Sequence, residues 1–91
     1  MTASEIKTWV YNHINMKSNI VFNSESQYKL KFENGDTYEW KSERKEYSKK
    51  IITVWINGKM AQKSLYVEKW LDNGNYGSEL IEELPIDNSA A

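Results

Sequence analysis

The sequence predicts an α+β domain in which an N-terminal helix packs on a four- to five-stranded antiparallel sheet of sequential hairpins, with a short C-terminal helix after it. Three observations predict this. Apolar residues recur with helical spacing near the N-terminus, strict alternation brackets Asn34-Gly35, and a β-branched run from Ile51 leads directly into Asn57-Gly58. The last stretch is the centre of the expected fold, because Asn-Gly flanked by apolar residues is a strong hairpin signal.

Thr2 and Glu5 have the spacing of a capping box. Ile6, Trp9, Val10, His13 and Ile14 follow at i, i+3, i+4, i+7 and i+8, one face of a helix from about Ser4 to Met16 or Lys17. Ile20-Val21-Phe22 reads as a first short strand, broken by Asn23-Ser24-Glu25-Ser26. Tyr28, Leu30 and Phe32 then alternate with Lys29, Lys31 and Glu33, and Tyr38 and Trp40 with Thr37, Glu39 and Lys41.

Residues directly opposite in a hairpin share a face, so parity decides the turn. A two-residue Asn34-Gly35 loop would set Leu30 against Glu39. A three-residue loop, Glu33-Asn34-Gly35 with Gly35 left-handed, sets Leu30 against Tyr38 and Tyr28 against Trp40, and keeps one face apolar. The helix is expected to cover that face.

Lys41 to Lys50 is charged and reads as an exposed connection or as strand ends projecting past the core. At Asn57-Gly58 a two-residue type I′ loop pairs Trp55 with Met60 and Val54 with Ala61. Strand character is expected to about Val67, with a competing helix capped by Ser64 and carrying Val67, Trp70 and Leu71. Residues 72 to 77 form a loop on composition. Ser78 then caps a short acidic helix, Glu79 to Leu84, ended by Pro85. Asn-Gly occurs three times, but its flanks do not match and no repeat is read.

The chain has 91 residues, below the usual size for two domains, so residues 1–86 read as one domain and 87–91 as a disordered tail. With no cysteine, disulfides and thiolate metal sites are excluded. The sequence shows no signal peptide or membrane span, and a cytoplasmic location is expected. Net charge is -1, yet residues 1 to 67 hold 11 basic and 7 acidic groups while residues 68 to 91 hold 1 and 6. All basic residues except Arg44 are lysine, which argues against sequence-specific reading of DNA.

His13 is the only histidine and has no ligand partners at regular spacing, so it reads as a packed or capping group, with no metal and no cofactor. Carboxylate pairs such as Glu39 with Glu43 or Glu82 with Glu83 lack the apolar surroundings that raise a pKa. No nucleophile elbow, phosphate loop or dinucleotide fingerprint is present, and no enzymatic activity is expected.

Aromatic residues are in excess, with four Trp and six Tyr against two Phe. Alternation makes the central strand apolar on both faces, more than one helix can cover. Trp55, Met60, Tyr66 and Ile51 are therefore candidates for an exposed interaction patch, unless the C-terminal helix and loop cover them. In size and composition the chain looks like the small binders of phages and mobile elements, or like immunity proteins. The first reading is a non-enzymatic module that binds an unidentified protein and inhibits or modulates it, with Glu79, Glu82 and Glu83 contacting a basic partner; a homodimer through the same patch is equally physical. The alternative is a single-stranded nucleic-acid binder in which sheet aromatics stack bases and Lys29, Lys31, Lys41, Lys49 and Lys50 track phosphates.

Overall fold

The computed structural model describes residues 1–86; the tail expected at 87–91 lies outside the described residues. One helix, α1 (Ala3–His13), precedes six strands: β1 (Ser18–Asn23), β2 (Gln27–Phe32), β3 (Thr37–Glu46), β4 (Lys49–Ile56), β5 (Lys59–Trp70) and β6 (Tyr76–Glu83). The strands form one antiparallel sheet in sequential order, each joined to the next by a hairpin.

The capping box forms as the spacing requires: the Glu5 amide donates to Thr2 Oγ1 at 3.1 Å and the Thr2 amide to Glu5 Oε1 at 3.0 Å. These bonds hold the Glu5 carboxyl below the usual carboxylate range. The helix ends at His13, short of Met16, because the Met16 amide turns back to the His13 carbonyl at 3.0 Å and the chain enters β1 at Ser18. Ile14, one of the five predicted face residues, consequently lies 69% exposed, and Val10 is exposed as well. Ile6 and His13 are buried; Trp9 packs edge-on against Phe32 and in parallel with Tyr38.

The β2–β3 hairpin has the register that parity selects, with Tyr28 opposite Trp40 and Leu30 opposite Tyr38. Its three-residue loop closes through Phe32 N–H to the Asp36 carbonyl at 2.8 Å and Gly35 N–H to the Phe32 carbonyl at 2.9 Å, with Gly35 at φ 93°. Residues 41 to 50 are strand ends: β3 runs to Glu46, β4 starts at Lys49, and only Tyr47 and Ser48 separate them.

The core is small. Ile6, Val54, Ile56 and Ala61 are buried together, with Trp9, Tyr38 and Trp40 packed around them. Burial of Tyr38, together with the neighbouring Tyr28, pushes its phenol up to about 12.

Two expectations are overturned. The sheet has six strands, not four or five, and Glu79 to Leu84 is not helical: Tyr76–Glu83 is β6, paired along β5 from Trp70 opposite Tyr76 to Ser64 opposite Glu83. β5 itself continues through Ser64 to Trp70, so the alternative helix capped by Ser64 does not form either. Leu80, Ile81 and Leu84 fit a helical face only locally. The turn before them decides otherwise: Leu71 N–H donates to the Asn75 carbonyl at 2.8 Å, Gly74 N–H to the Leu71 carbonyl at 3.0 Å, and Gly74 sits at φ 84°. That is the bonding pattern of the Glu33-Asn34-Gly35 turn repeated in Asp72-Asn73-Gly74, even to the asparagine side chain accepting from the amide two residues on. The turn returns the chain along the bare edge of β5, where pairing a whole strand outweighs the modest helix preference of glutamate and leucine.

A further correction is a bulge in β5. Trp55 pairs with Met60 as expected, and Asn57 and Gly58 both take positive φ, the type I′ signature. Val54, however, faces Gln62 and not Ala61. Ala61 is the extra residue, 3% exposed and part of the core. Beyond it the faces of β5 are exchanged.

Candidate nucleic-acid interface

Helix α1 lies on the face carrying Leu30, Tyr38, Val54 and Ile56, and among the described residues the opposite face of the sheet carries no helix. The register arranges that open face in rows. Phe22, Lys29, Glu39, Trp55 and Met60 form one line across five strands. Gln27, Lys41, Thr53 and Lys63 form the next, then Glu43, Ile51, Leu65 and Glu82, then Lys49, Val67 and Glu79. Successive rows are about 7 Å apart along the strands, the repeat of two residues, which approximates the spacing of nucleotides in an extended strand. Ile51, Trp55, Met60, Leu65 and Val67 are half-buried, and Phe22 is exposed.

Most of the acids on this face are engaged at home; Glu82 is exposed and makes no ion pair among the described residues. Glu43 receives Lys41 at 2.9 Å and Lys45 at 3.1 Å, and the hydrogen bonds and charge of these two lysines hold its carboxyl at about 2. Glu39 accepts from Gln27 Nε2 at 3.0 Å. Glu79 pairs with Lys69, whose ammonium is raised by that hydrogen bond and charge. Glu46 lies 3.7 Å from Lys49. Lys29, Lys31 and Lys63 have no ion pair among the described residues.

Of the residues singled out from the sequence, Trp55, Met60 and Ile51 share the open face with Lys29, Lys31, Lys41 and Lys49. Tyr66 and Lys50 do not. They face each other on the helix-bearing side, because the Ala61 bulge inverts β5 and takes Tyr66 away from Trp55. Lys50 and Arg44 both reach Glu68, at 3.7 and 3.1 Å, beside Trp40, which stacks on Tyr28 at a centroid distance of 5.6 Å. Glu83, exposed on the helix-bearing side, accepts from Gln62 at 3.1 Å and from the Ser64 hydroxyl at 2.9 Å. Glu79 is paired and Glu82 lies exposed on the outer strand, so the three glutamates do not converge.

The inverted half of β5 brings Lys63, Leu65 and Val67 to the open face, residues that sequence reasoning did not single out. Nothing in the local sequence marks the bulge, since Ala61 fits a regular strand equally well. Trp70 and Tyr76 form a second missed cluster, edge to face at 5.4 Å and largely exposed at the end of the β5–β6 hairpin. The excess of aromatics was their only signal.

Among the described residues, no group of three or more His, Cys, Asp or Glu side chains is placed to hold a metal ion, and no helix is long and apolar enough to cross a membrane. The geometry defines a small α+β domain with exposed aromatics and a lysine-rich sheet face. Comparison with known protein families, curated sequences and solved structures gives no match.

Proposed function

We propose that this chain binds single-stranded nucleic acid along the open face of the sheet, without chemical turnover. The observation that carries this reading is the pairing of charges there. Glu39, Glu43 and Glu79 are tied up by neighbouring lysines or by Gln27, which leaves one exposed acid, Glu82 on the outer strand, against three lysines, Lys29, Lys31 and Lys63, that flank the Trp55 row and the apolar strip Ile51, Leu65 and Val67. A polyanion with flat, partly apolar bases meets both demands: phosphates satisfy the lysines and bases lie on Trp55 and its neighbours. Lysine, a point charge without the planar fork of arginine, suits tracking of the backbone and gives little base selectivity.

The protein-binding reading is less well supported. It needs Trp55 and Tyr66 on one surface and Glu79, Glu82 and Glu83 free to meet a basic partner, and the faces and bonds described above separate the first pair and occupy two of the three glutamates.

Fluorescence anisotropy of a labelled oligothymidylate tests the proposal. Binding is expected at low salt, with log affinity falling against log salt with a slope of about -2 for three engaged lysines. Lys63→Ala and Trp55→Ala weaken it, and Lys50→Ala, on the other face, leaves it unchanged. Absence of binding at low salt, or loss only with Lys50→Ala, overturns the reading.

A further inference from the structure

The two free edges of the sheet are unlike. β6 carries Glu79, Glu82 and Glu83. β1, Ser18-Asn19-Ile20-Val21-Phe22-Asn23, carries no charge and is exposed at every position. Ile20 is 65% exposed and Val21 53%, and both are hydrophobic residues on a strand with one unpaired edge. Natural edge strands are ordinarily blunted by lysine, proline or brevity, because an unpaired row of N–H and C=O groups is a template for another strand. β1 has no lysine and no proline. The one blunting feature β1 carries is a bulge that leaves Val21 without a partner between Ile20 and Phe22.

The surface around β1 continues the apolar character. Ile20 lies opposite Leu30 and so on the helix-bearing side, where the exposed Val10 and Ile14 of α1 line a groove of about 280 Å³ together with Met16 and Leu30. Phe22 lies on the other side, beside Lys29. An incoming strand therefore finds backbone partners along β1 and apolar side chains on both flanks.

We infer that β1 pairs antiparallel with β1 of a second copy of this chain, forming a two-fold dimer with one continuous sheet. Self-pairing suits β1 because it has no charges to oppose; a β6–β6 contact would bring the glutamates of two copies together, and like charges directly opposite are destabilising. The alternative β1–β6 contact is head-to-tail and would give rings or open-ended assemblies rather than a two-fold dimer. The dimer also sets Val10 and Ile14 of each copy over the joint and sets the two open faces side by side. The inference rests on the edge alone and stands whether or not those faces bind nucleic acid.

Sedimentation equilibrium of the full chain without nucleic acid tests it. The expected mass is twice the 10.7 kDa chain, shifting to a single chain with Val21→Lys and staying double with Leu80→Lys on β6. Amide hydrogen exchange of the unaltered protein is the second measurement, needed if Val21→Lys does not fold: protection of Ser18 to Asn23 is expected to rise with protein concentration while that of β6 does not. A monomer at millimolar concentration, a series of growing masses, a dimer that survives in folded Val21→Lys, or β1 protection independent of concentration would each overturn it.

Discussion

His13 at the end of α1 and Asp36 at the start of β3 are joined by a 2.7 Å contact between Nε2 and Oδ2, across 23 residues of sequence. The other ring nitrogen, Nδ1, lies 2.6 Å from the Trp9 carbonyl. The ring thus sits between two acceptors, the Trp9 carbonyl and the Asp36 carboxylate. The ring is also stacked on Trp9 at 3.7 Å and meets Phe32 edge-on at 4.9 Å. Asp36 in turn accepts from Asn34 and from Asn57, so one carboxylate ties the helix to two hairpin tips. With four hydrophobic residues buried among the described residues, this polar joint holds the helix where the core alone is thin.

His13→Ala removes from a buried site a stacked ring and its polar contacts to the Trp9 carbonyl and Asp36, and is expected to destabilise the fold by about 2 to 3 kcal/mol. Urea unfolding followed by tryptophan fluorescence measures it. A loss below about 0.5 kcal/mol would show that the joint does not hold the helix.

The same joint gives an acid limb to stability. The hydrogen bond from His13, then that from Asn34, lowers the Asp36 carboxyl below its ordinary value. A carboxylate lowered in the folded state contributes stability that is fully present above its unfolded pKa and is lost as pH falls through the folded one. Stability is therefore expected to drop as pH falls below about 4, the ordinary aspartate range, and Asp36→Asn is expected to flatten that drop. Urea midpoints from pH 2 to 6 check it.

Trp55→Ala is expected to weaken oligonucleotide binding by about 1 to 3 kcal/mol, the range for removing one stacking platform, while the melting transition stays cooperative. Equal affinity in the variant would mean that the indole is only a packing residue.

Gly35, Gly58 and Gly74 all have positive φ, and a Cβ built on any of them meets nothing within 4 Å. Alanine at each position is therefore strained by backbone conformation alone, at a cost of about 1 to 2 kcal/mol. Calorimetric melting temperatures of the three variants should fall by similar amounts. Gly74→Ala tests in particular that residues 72 to 74 form a hairpin turn, since a mere loop ahead of a helix would tolerate it.

Ser64, 2% exposed, donates to Glu83 across the β5–β6 ladder. Ser64→Ala removes the donor and is expected to cost about 1 kcal/mol and to speed amide exchange in β6 more than in β2 or β3. Uniform acceleration would argue that the bond does not secure the last strand.

Much of this architecture was written locally. The capping box, the helical stripe, the alternation about residues 33 to 35 and the Asn57-Gly58 turn each depend on neighbours a few residues away; the box and the 33 to 35 hairpin formed as expected, Val10 and Ile14 of the five-residue stripe lie exposed, and the Asn57-Gly58 turn kept the expected pairing only as far as Trp55 with Met60. The helix at Glu79 to Leu84 failed because its apolar spacing suits either state over a few residues. The matching acid-Asn-Gly turns at 33 to 35 and 72 to 74 were nevertheless readable, and testing parity about the second would have found the hairpin.

The amino-acid sequence by itself thus determined the helix, the hairpin turns, the absence of disulfides and the near-exclusive use of lysine as cation. Tertiary structure decided which side chains share a face. The Ala61 bulge, invisible in local pattern, exchanges the faces of β5, sending Tyr66 to the helix side and Lys63 to the open one. Because side chains alternate with period two, one inserted residue moves all those beyond it, and so the candidate site could be composed only after the strands had been paired.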